Sequence, residues 1–486
     1  MVSQKPRQCH LFTKKGGRRV PIRSTIVYEV NPKNLTKAVK DVLKKHAKVR
    51  EELLGLYNRW DQEQLPIQNR KKPKNKANNR LPHDFRGYIV NQLVGYLFGN
   101  PISYQYDKRR ENDESKIKRI EDELSDFIAL NMMDDLDMEN GKMSSITGYA
   151  GRLAYYNTSS SDDEVKIRLI NIPSWECVFI KWRGKITHAI RYIKEKDDEG
   201  NEIVYAELYD NTNVNYFVGK GEEFKVDPNE ESGSHNFKSI PLILFQNNEE
   251  ERGDFEKVET LIDAYDKMQS DTVNELETFA NAYMFFKNMK IDAEFMEKLQ
   301  DTGGIEGGED SEASFLTKEI NDTFIRNAKQ DIKDDIHKFS QSVDMSDEKF
   351  SGGAQTGESR KWKLKSLEDK AGVKVRKMSK ALRYQFKVIC GAWDVKHELG
   401  ANYLDFYWTF KRNVPIDLIY VGDYVQKTKG AHSLLTLLEQ IPYIDDPQFE
   451  IERIEQEALD YYNGRVDLSK AGEHVAKDQE GIPATS

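Results

Sequence analysis

Three apolar stripes at helical spacing dominate the C-terminal half of this sequence and leave it few folds to adopt. Val258, Leu261, Tyr265, Met268, Thr272, Leu276, Phe279 and Tyr283 step by three or four, with one polar interruption. Ile325, Ala328, Ile332, Ile336, Phe339 and Val343 form a second stripe. Leu364, Leu367, Ala371, Val375, Met378, Leu382, Phe386, Ile389 and Trp393 form a third. Such steps put side chains on one face of an α-helix. At 1.5 Å per residue the third stripe predicts a helix about 45 Å long. Core packing accounts for each stripe singly; three together predict a columnar arrangement completed by neighbouring chains. Two glycine-rich connections separate them. Segment 290–319 sets Gly303, Gly304, Gly307 and Gly308 among Glu306, Glu309 and Asp310, and segment 345–358 holds Gly352, Gly353 and Gly357.

Upstream the texture differs. Leu35, Val39, Val42 and Leu43, then Val49, Leu53, Leu56 and Trp60, predict helix, and the basic, Asn-rich stretch 69–80 reads as a solvated loop. The apolar run 81–104 predicts a helix stopped by Gly99 and Pro101. From 165 to 245 the period shortens: Val165, Ile167 and Leu169 alternate with polar residues, 186–193 alternates loosely, and 214–217 is short and aromatic. Turns at 197–201 and 218–222 make this read as an antiparallel meander with one wet face. The predicted class is α+β, with a frayed tail beyond Val466.

Charged residues are 32% of the 486, above the roughly 25% of an ordinary domain, so long helical faces must meet water. Aromatics at 10% exclude wholesale disorder. A net charge of −9 argues against gripping nucleic acid over the whole surface, because phosphate binding needs a Lys and Arg excess. The third stripe is the exception. Arg360, Lys361, Lys363, Lys365, Lys370, Lys374, Arg376, Lys377, Lys380, Arg383 and Lys387 face only Glu368 and Asp369, a concentration that predicts contact with a polyanion.

Chemistry is hard to find. Segment 352–359 (GGAQTGES) fits the phosphate-cradling pattern G-x-x-x-x-G-K-[ST] except that Glu358 replaces the lysine, and a carboxylate there repels phosphate. Asp134-Asp135, Asp162-Asp163, Asp334-Asp335 and Asp445-Asp446 are adjacent pairs, whose members point apart and read as solvated faces rather than metal sites. The nine histidines show no H-x-x-x-H spacing. Cys9, Cys177 and Cys390 are far apart with no CxxC, which excludes a disulfide framework, argues against a cysteine zinc site and fits a reducing compartment. No export signal and no apolar run of about 20 residues is read, so a soluble, cytosolic chain without membrane partner, cofactor, metal or catalytic residues is expected.

In order along the chain, GYLFGNPISY (95–104), IPLILFQNNEE (240–250), LIDAYDKMQSDTVNELETFANAYMFFKN (261–288), FLTKEI (315–320), VDMSDEKFSGG (343–353), FKRNVPID (410–417) and IPYIDDPQFEIERIEQE (441–457) resemble the portal proteins of long-tailed bacteriophages, of the type common in phages of Gram-positive bacteria. The resemblance spans roughly residues 35–457. It implies a non-enzymatic ring, normally of twelve subunits, at the unique capsid vertex, through which terminase packages double-stranded DNA and through which DNA later leaves.

The family architecture then implies N-terminal helices and an α/β wing at 1–254, a first stem helix at 255–285 and a clip at 286–320. A second stem helix at 321–344, a tunnel loop at 345–359, a long channel helix and wing strand at 360–420, and a helical crown and tail at 421–486 complete it. The tunnel loop would offer Lys349, Ser351, Gly352, Gly353, Gln355, Thr356 and Gly357 to DNA, followed by a basic belt of Arg360, Lys361, Lys363 and Lys365. Gly303, Gly304, Glu306, Gly307, Gly308, Glu309 and Asp310 of the clip would meet the terminase large subunit and then a head-completion adaptor. Capsid and scaffolding proteins are further implied partners, with the virion vertex as final location and the host cytoplasm during assembly. Family members often follow a Ser-Gly here with small or apolar residues; this chain has Thr356-Gly357 followed by Glu358 and Ser359. An NTP-hydrolysing packaging motor, disfavoured by Glu358, and another minor head or connector protein are the alternatives.

Overall fold

The computed structural model describes residues 22–72, 76–157, 166–221, 223–280, 283–303, 307–308, 310–316, 322–346, 362–397, 399–414, 418–438, 441, 444 and 447–462. Internal contacts group the chain into two bodies, 1–99 with 104–408, and 100–103 with 409–486.

In the first body β1 (Thr25–Val27) leads into α1 (Leu35–Trp60), so the two N-terminal apolar repeats make one helix of 26 residues. Asn34 starts it by accepting the Lys37 amide at 3.1 Å. Helix α2 (Phe85–Phe98) starts at Asp84, whose carboxylate accepts the Gly87 amide at 2.8 Å, and it ends at Gly99 as predicted. Strand β2 (Ser103–Tyr106), α3 (Glu114–Asn131) and α4 (Met133–Thr147) follow. Gly148 closes α4 at φ +94°, where a Cβ would sit 2.1 Å from the Glu251 carbonyl oxygen, so only glycine fits.

Nine strands come next: β3 (Tyr149–Asn157), β4 (Lys166–Ile172), β5 (Cys177–Trp182), β6 (Lys185–Lys196), β7 (Glu202–Tyr209), β8 (Asn213–Lys220), β9 (Glu223–Val226), β10 (Gly233–Ser234) and β11 (Leu242–Gln246). They form two sheets rather than one meander: β1-β5-β6-β7-β8-β10 with β9 on β8, and β11-β3-β4. The strand region also begins earlier than the sequence reading, at Tyr149. The ladders are antiparallel except at one edge, where β1 lies parallel to β5 with Ile26 opposite Ile180. A parallel pair needs a long connection, and here it spans more than a hundred residues, beyond any local pattern. The α1 side chains Val39 and Val42 pack with Val178, Ile180, Ile190 and Tyr192, while Leu53 joins Tyr149, Leu153 and Phe179. Each such buried side chain contributes about 1.5–3 kcal/mol.

After Asn248 come α5 (Glu259–Ala280), β12 (Tyr283–Lys287), α6 (Ala293–Thr302), β13 (Glu312–Leu316) and α7 (Asp322–Ser340). Two expectations fail here. The first apolar stripe stops being helical at Ala280, because the aromatic run YMFFK pairs as a strand with EASFL, Phe285 opposite Ser314. The acidic glycine segment is not a plain loop, since Asp292 caps α6 by accepting the Phe295 amide at 3.0 Å and Gly303, at φ +64°, ends it.

Helix α8 (Lys365–His397) has 33 residues, about 50 Å at 1.5 Å per residue, slightly longer than the stripe predicted. Its stripe is core: Leu367, Ala371, Met378, Leu382, Phe386, Ile389 and Trp393 are buried. Phe386 stacks on Phe406 of β14 (Phe406–Thr409), ring centroids 4.7 Å apart. In the second body α9 (Leu418–Thr428), α10 (Leu434–Leu438) and α11 (Pro447–Tyr462) bury Leu437 and Leu438 while Leu434, Phe449 and Leu459 stay exposed. Among the described residues no helix is long and apolar enough to cross a membrane, and Cys177 and Cys390 are buried free thiols.

Candidate functional site

The segment resembling a tunnel loop leaves the described fold at Ser346 and returns at Trp362. Lys349, Ser351, Gly352, Gly353, Gln355, Thr356, Gly357, Arg360 and Lys361 all lie outside the described residues. What can be built from side chains is the frame that holds its departure.

Past the end of α7 the chain turns extended and is gripped by α2. Val343 exchanges two hydrogen bonds with the Gln92 side chain, its amide donating to Oε1 and its carbonyl accepting from Nε2, both at 2.7 Å. The same carbonyl accepts from Tyr88 Oη at 2.6 Å, and that oxygen accepts the Met345 amide at 3.1 Å. Tyr88 and Gln92 sit four apart in a helix that is otherwise largely apolar, and so face the same way. Two further contacts fix the turn. Lys333 of α7 pairs with Asp344 at 2.7 Å, which outweighs partial burial and brings the Asp344 carboxyl down to about 2. His337 Nδ1 meets Ser342 Oγ at 2.8 Å, and burial lowers that imidazole below its ordinary value, so it is neutral at pH 7.

On the return side, α8 is tied down by its own lysines. Lys370 Nζ reaches the Asp254 carboxylate at 3.2 Å and the Ser340 carbonyl at 2.8 Å, linking α8 to the last residue of α7. Lys374 is buried against four oxygens: Gly141 O at 2.8 Å, Ser144 Oγ at 3.0 Å, and Ser145 Oγ and Asn247 Oδ1 at 2.7 Å. Burial without a directly bonded carboxylate drives its amine down to about 8. Asp254 is depressed even though burial opposes it, because Lys370 and Lys374 stand beside it. Arg383 donates to the carbonyls of Tyr403, Leu404 and Phe406 and lies over the Trp408 ring.

These bonds correct the reading of α8 as a uniformly basic face. Lys370, Lys374 and Arg383 turn inward to satisfy carbonyls and a buried carboxylate, and Lys377 pairs with Glu249. Arg376, Lys380 and Lys387 remain exposed. Of the predicted belt, Lys365 is exposed and paired with Asp369, and Lys363 is half-buried. In the glycine-rich segment Gly303, Gly307, Gly308 and Asp310 are described, and Gly304, Glu306 and Glu309 are not. The Gly308 carbonyl accepts the Ser311 amide at 2.9 Å, and the Asp310 carbonyl accepts from Asn288 at 3.3 Å.

Helix α5 holds a second surprise. The side chains it buries run along Ile262, Asp266, Ser270 and Asn274, a mostly polar line, whereas Leu261, Tyr265, Met268 and Thr272 are only half-buried and Leu276 is 61% exposed. The polar line is covered by the end of the segment read as a solvated loop and by residues 81–83, which the sequence reading assigns to a helix but which precede α2. His83 N bonds Asp266 at 2.9 Å, Leu81 N bonds Ser270 Oγ at 3.0 Å, and Asn79 N bonds Asn274 Oδ1 at 2.7 Å. Arg70 and Lys72 both reach Asp271, and the buried Arg86 reaches Glu259 at 2.8 Å and Asp263 at 2.7 Å. The helical spacing of Glu259, Asp263, Asp266, Ser270 and Asn274 was readable, but nothing local told it from a wet face. Among the described residues no three His, Cys, Asp or Glu side chains converge on a metal-sized point.

The described residues thus combine long helices and a mixed sheet region in which many polar groups hold segments in place. The sequence model of the family described as "Phage portal protein, SPP1 Gp6-like" matches residues 28–461, and the chain belongs to that family. Portal proteins are virion components through which the phage genome is packaged. Similar relatives are the portal protein of Bacillus phage SPP1, 27% identical over 411 residues covering 79% of this chain and 77% of the relative, and that of Clostridium phage phiCD119, 23% identical over 419 residues covering 82% and 89%.

Proposed function

We propose that this chain forms the portal ring at the unique capsid vertex, twelve subunits around a channel for double-stranded DNA. In this reading α5 and α7 are the stem, β12, α6 and β13 the clip, the sheets the wing, and α9 to α11 the crown. The segment 345–359 reaches into the channel, rooted by Tyr88, Gln92 and Lys333. The clip docks the terminase large subunit during packaging and a head-completion adaptor afterwards, and the ring, with scaffolding and capsid protein, starts procapsid assembly.

The observation that carries the reading is the unclosed apolar side of α5. Its polar side is engaged within the chain through Asp266, Ser270 and Asn274, yet Leu276, at the edge of the apolar stripe, stays 61% exposed, a position suited to contact with an identical neighbour. Light scattering with negative-stain microscopy tests it: a holed ring near 677 kDa, twelve times 56.4 kDa, is expected. A monomer under assembly conditions overturns it.

A further inference from the structure

Helix α1 carries a ridge of lysine that neither the fold nor the channel reading uses. Residues 33–48 contain six lysines against Asp41 alone, a local +5 in a chain that totals −9. At 3.6 residues per turn Lys37, Lys40, Lys44 and Lys48 fall within about 80° of arc, directly opposite the buried Val39, Val42 and His46. They are exposed, and Lys37, Lys44 and Lys48 form no ion pair with the described residues. Asp41, at the margin, is occupied by Tyr28 Oη at 3.0 Å. The ridge ends where Glu51 and Glu52 begin.

We infer that the α1 ridge is an outer docking surface for the phosphate backbone of double-stranded DNA, separate from the channel. Protein interfaces are depleted in lysine and centre on aromatic or arginine anchors, and this ridge has neither. Lysine is a hydrated point charge suited to sequence-independent phosphate contact. The ridge runs about 16 Å from Lys37 to Lys48, a length over which a duplex presents roughly nine phosphates. DNA is also the polyanion that the family handles.

The test uses covalently closed circular plasmid, which has no end to thread through a channel, so it reads the outer surface whether or not the ring forms. Binding to the full-length protein is measured by filter retention between 50 and 200 mM salt, for the wild type and for Lys37→Gln/Lys44→Gln/Lys48→Gln. Three lost phosphate contacts should flatten the log–log salt slope by about 2.7, so that the wild type loses about 40-fold more affinity than the variant across that range. Arginine at the same three positions should restore the slope. If the triple variant fails to fold, Lys44→Gln alone, with a slope change of about 0.9, serves instead. An unchanged slope overturns the inference. An unchanged slope with reduced incorporation into capsids also overturns it and assigns the ridge to an acidic protein partner.

Discussion

Lys374 is a lysine whose chemistry departs from that of its surface counterparts. Its amine donates among four oxygen neighbours, two carbonyl oxygens and two serine hydroxyls. The unfolded lysine titrates near 10.5 and the folded one near 8. Below pH 8 both states hold the proton and the burial penalty acts in full. Between about 8 and 10.5 the folded state releases the proton while the unfolded state keeps it, so this group's contribution to stability rises with pH. Lys374→Met should destabilise by about 3–5 kcal/mol through the polar groups left unpaired. Denaturant melts at pH 7.5 and 10 should show the gap between wild type and variant widening with pH; a gap that stays constant would mean that the buried amine stays charged.

The elements were legible to different depths. Helix α8 was readable because its stripe is buried as apolar stripes usually are, α1 because its apolar residues repeat at helical spacing, and the end of α2 because Gly99 marks it. The apolar run puts the start of α2 at Leu81, ahead of its cap Asp84. The strand at β12 was missed because the apolar period of α5 runs on into an aromatic segment that suits either structure, and only its partner β13 decides. The polar seat of α5 was invisible for a related reason: burying Asp266 needs a donor at His83, far away in sequence. The clamp on Val343 was findable in principle, since Tyr88 and Gln92 are a polar pair on one face of an apolar helix. Its strength is testable. Tyr88→Phe removes one donor to Val343 and the acceptor for Met345, a loss of about 1–2 kcal/mol of local stability. Amide exchange in 342–346 should then quicken by roughly 10-fold while α2 stays protected; equal protection would show that Gln92 alone holds the segment.

For the whole molecule, charge is distributed by use rather than by average. The chain is acidic, yet its lysines and arginines divide into those consumed internally, such as Arg86, Lys370, Lys374 and Arg383, and those left at the surface. A conduit that binds phosphate everywhere would trap DNA, because each neutralised phosphate adds affinity through counterion release. The channel reading therefore places DNA contact on a restricted belt near 360–365, part of it outside the described residues. Replacing Lys361, Lys363 and Lys365 with Glu should impair DNA packaging in an in vitro assay while particle mass by light scattering is unchanged. Normal packaging by that variant would remove the belt from the mechanism. The family itself was legible from short segments in fixed order, although overall identity to the SPP1 portal protein is 27%.

The polar seating of α5 separates two properties that most helices entangle. A helix docked by its greasy side cannot alter that side without loosening its own subunit. Here the Asp266 carboxylate, the Ser270 hydroxyl and the Asn274 amide do much of the docking within the chain, and the exposed Leu276 is left as an independent variable. Association strength can drift through the exposed Leu276 with little effect on the folded monomer, while errors at the buried Asp266 strike folding first. Assembly defects and folding defects in this protein should thus map to different positions of one helix, Leu276 for the first and Asp266 for the second.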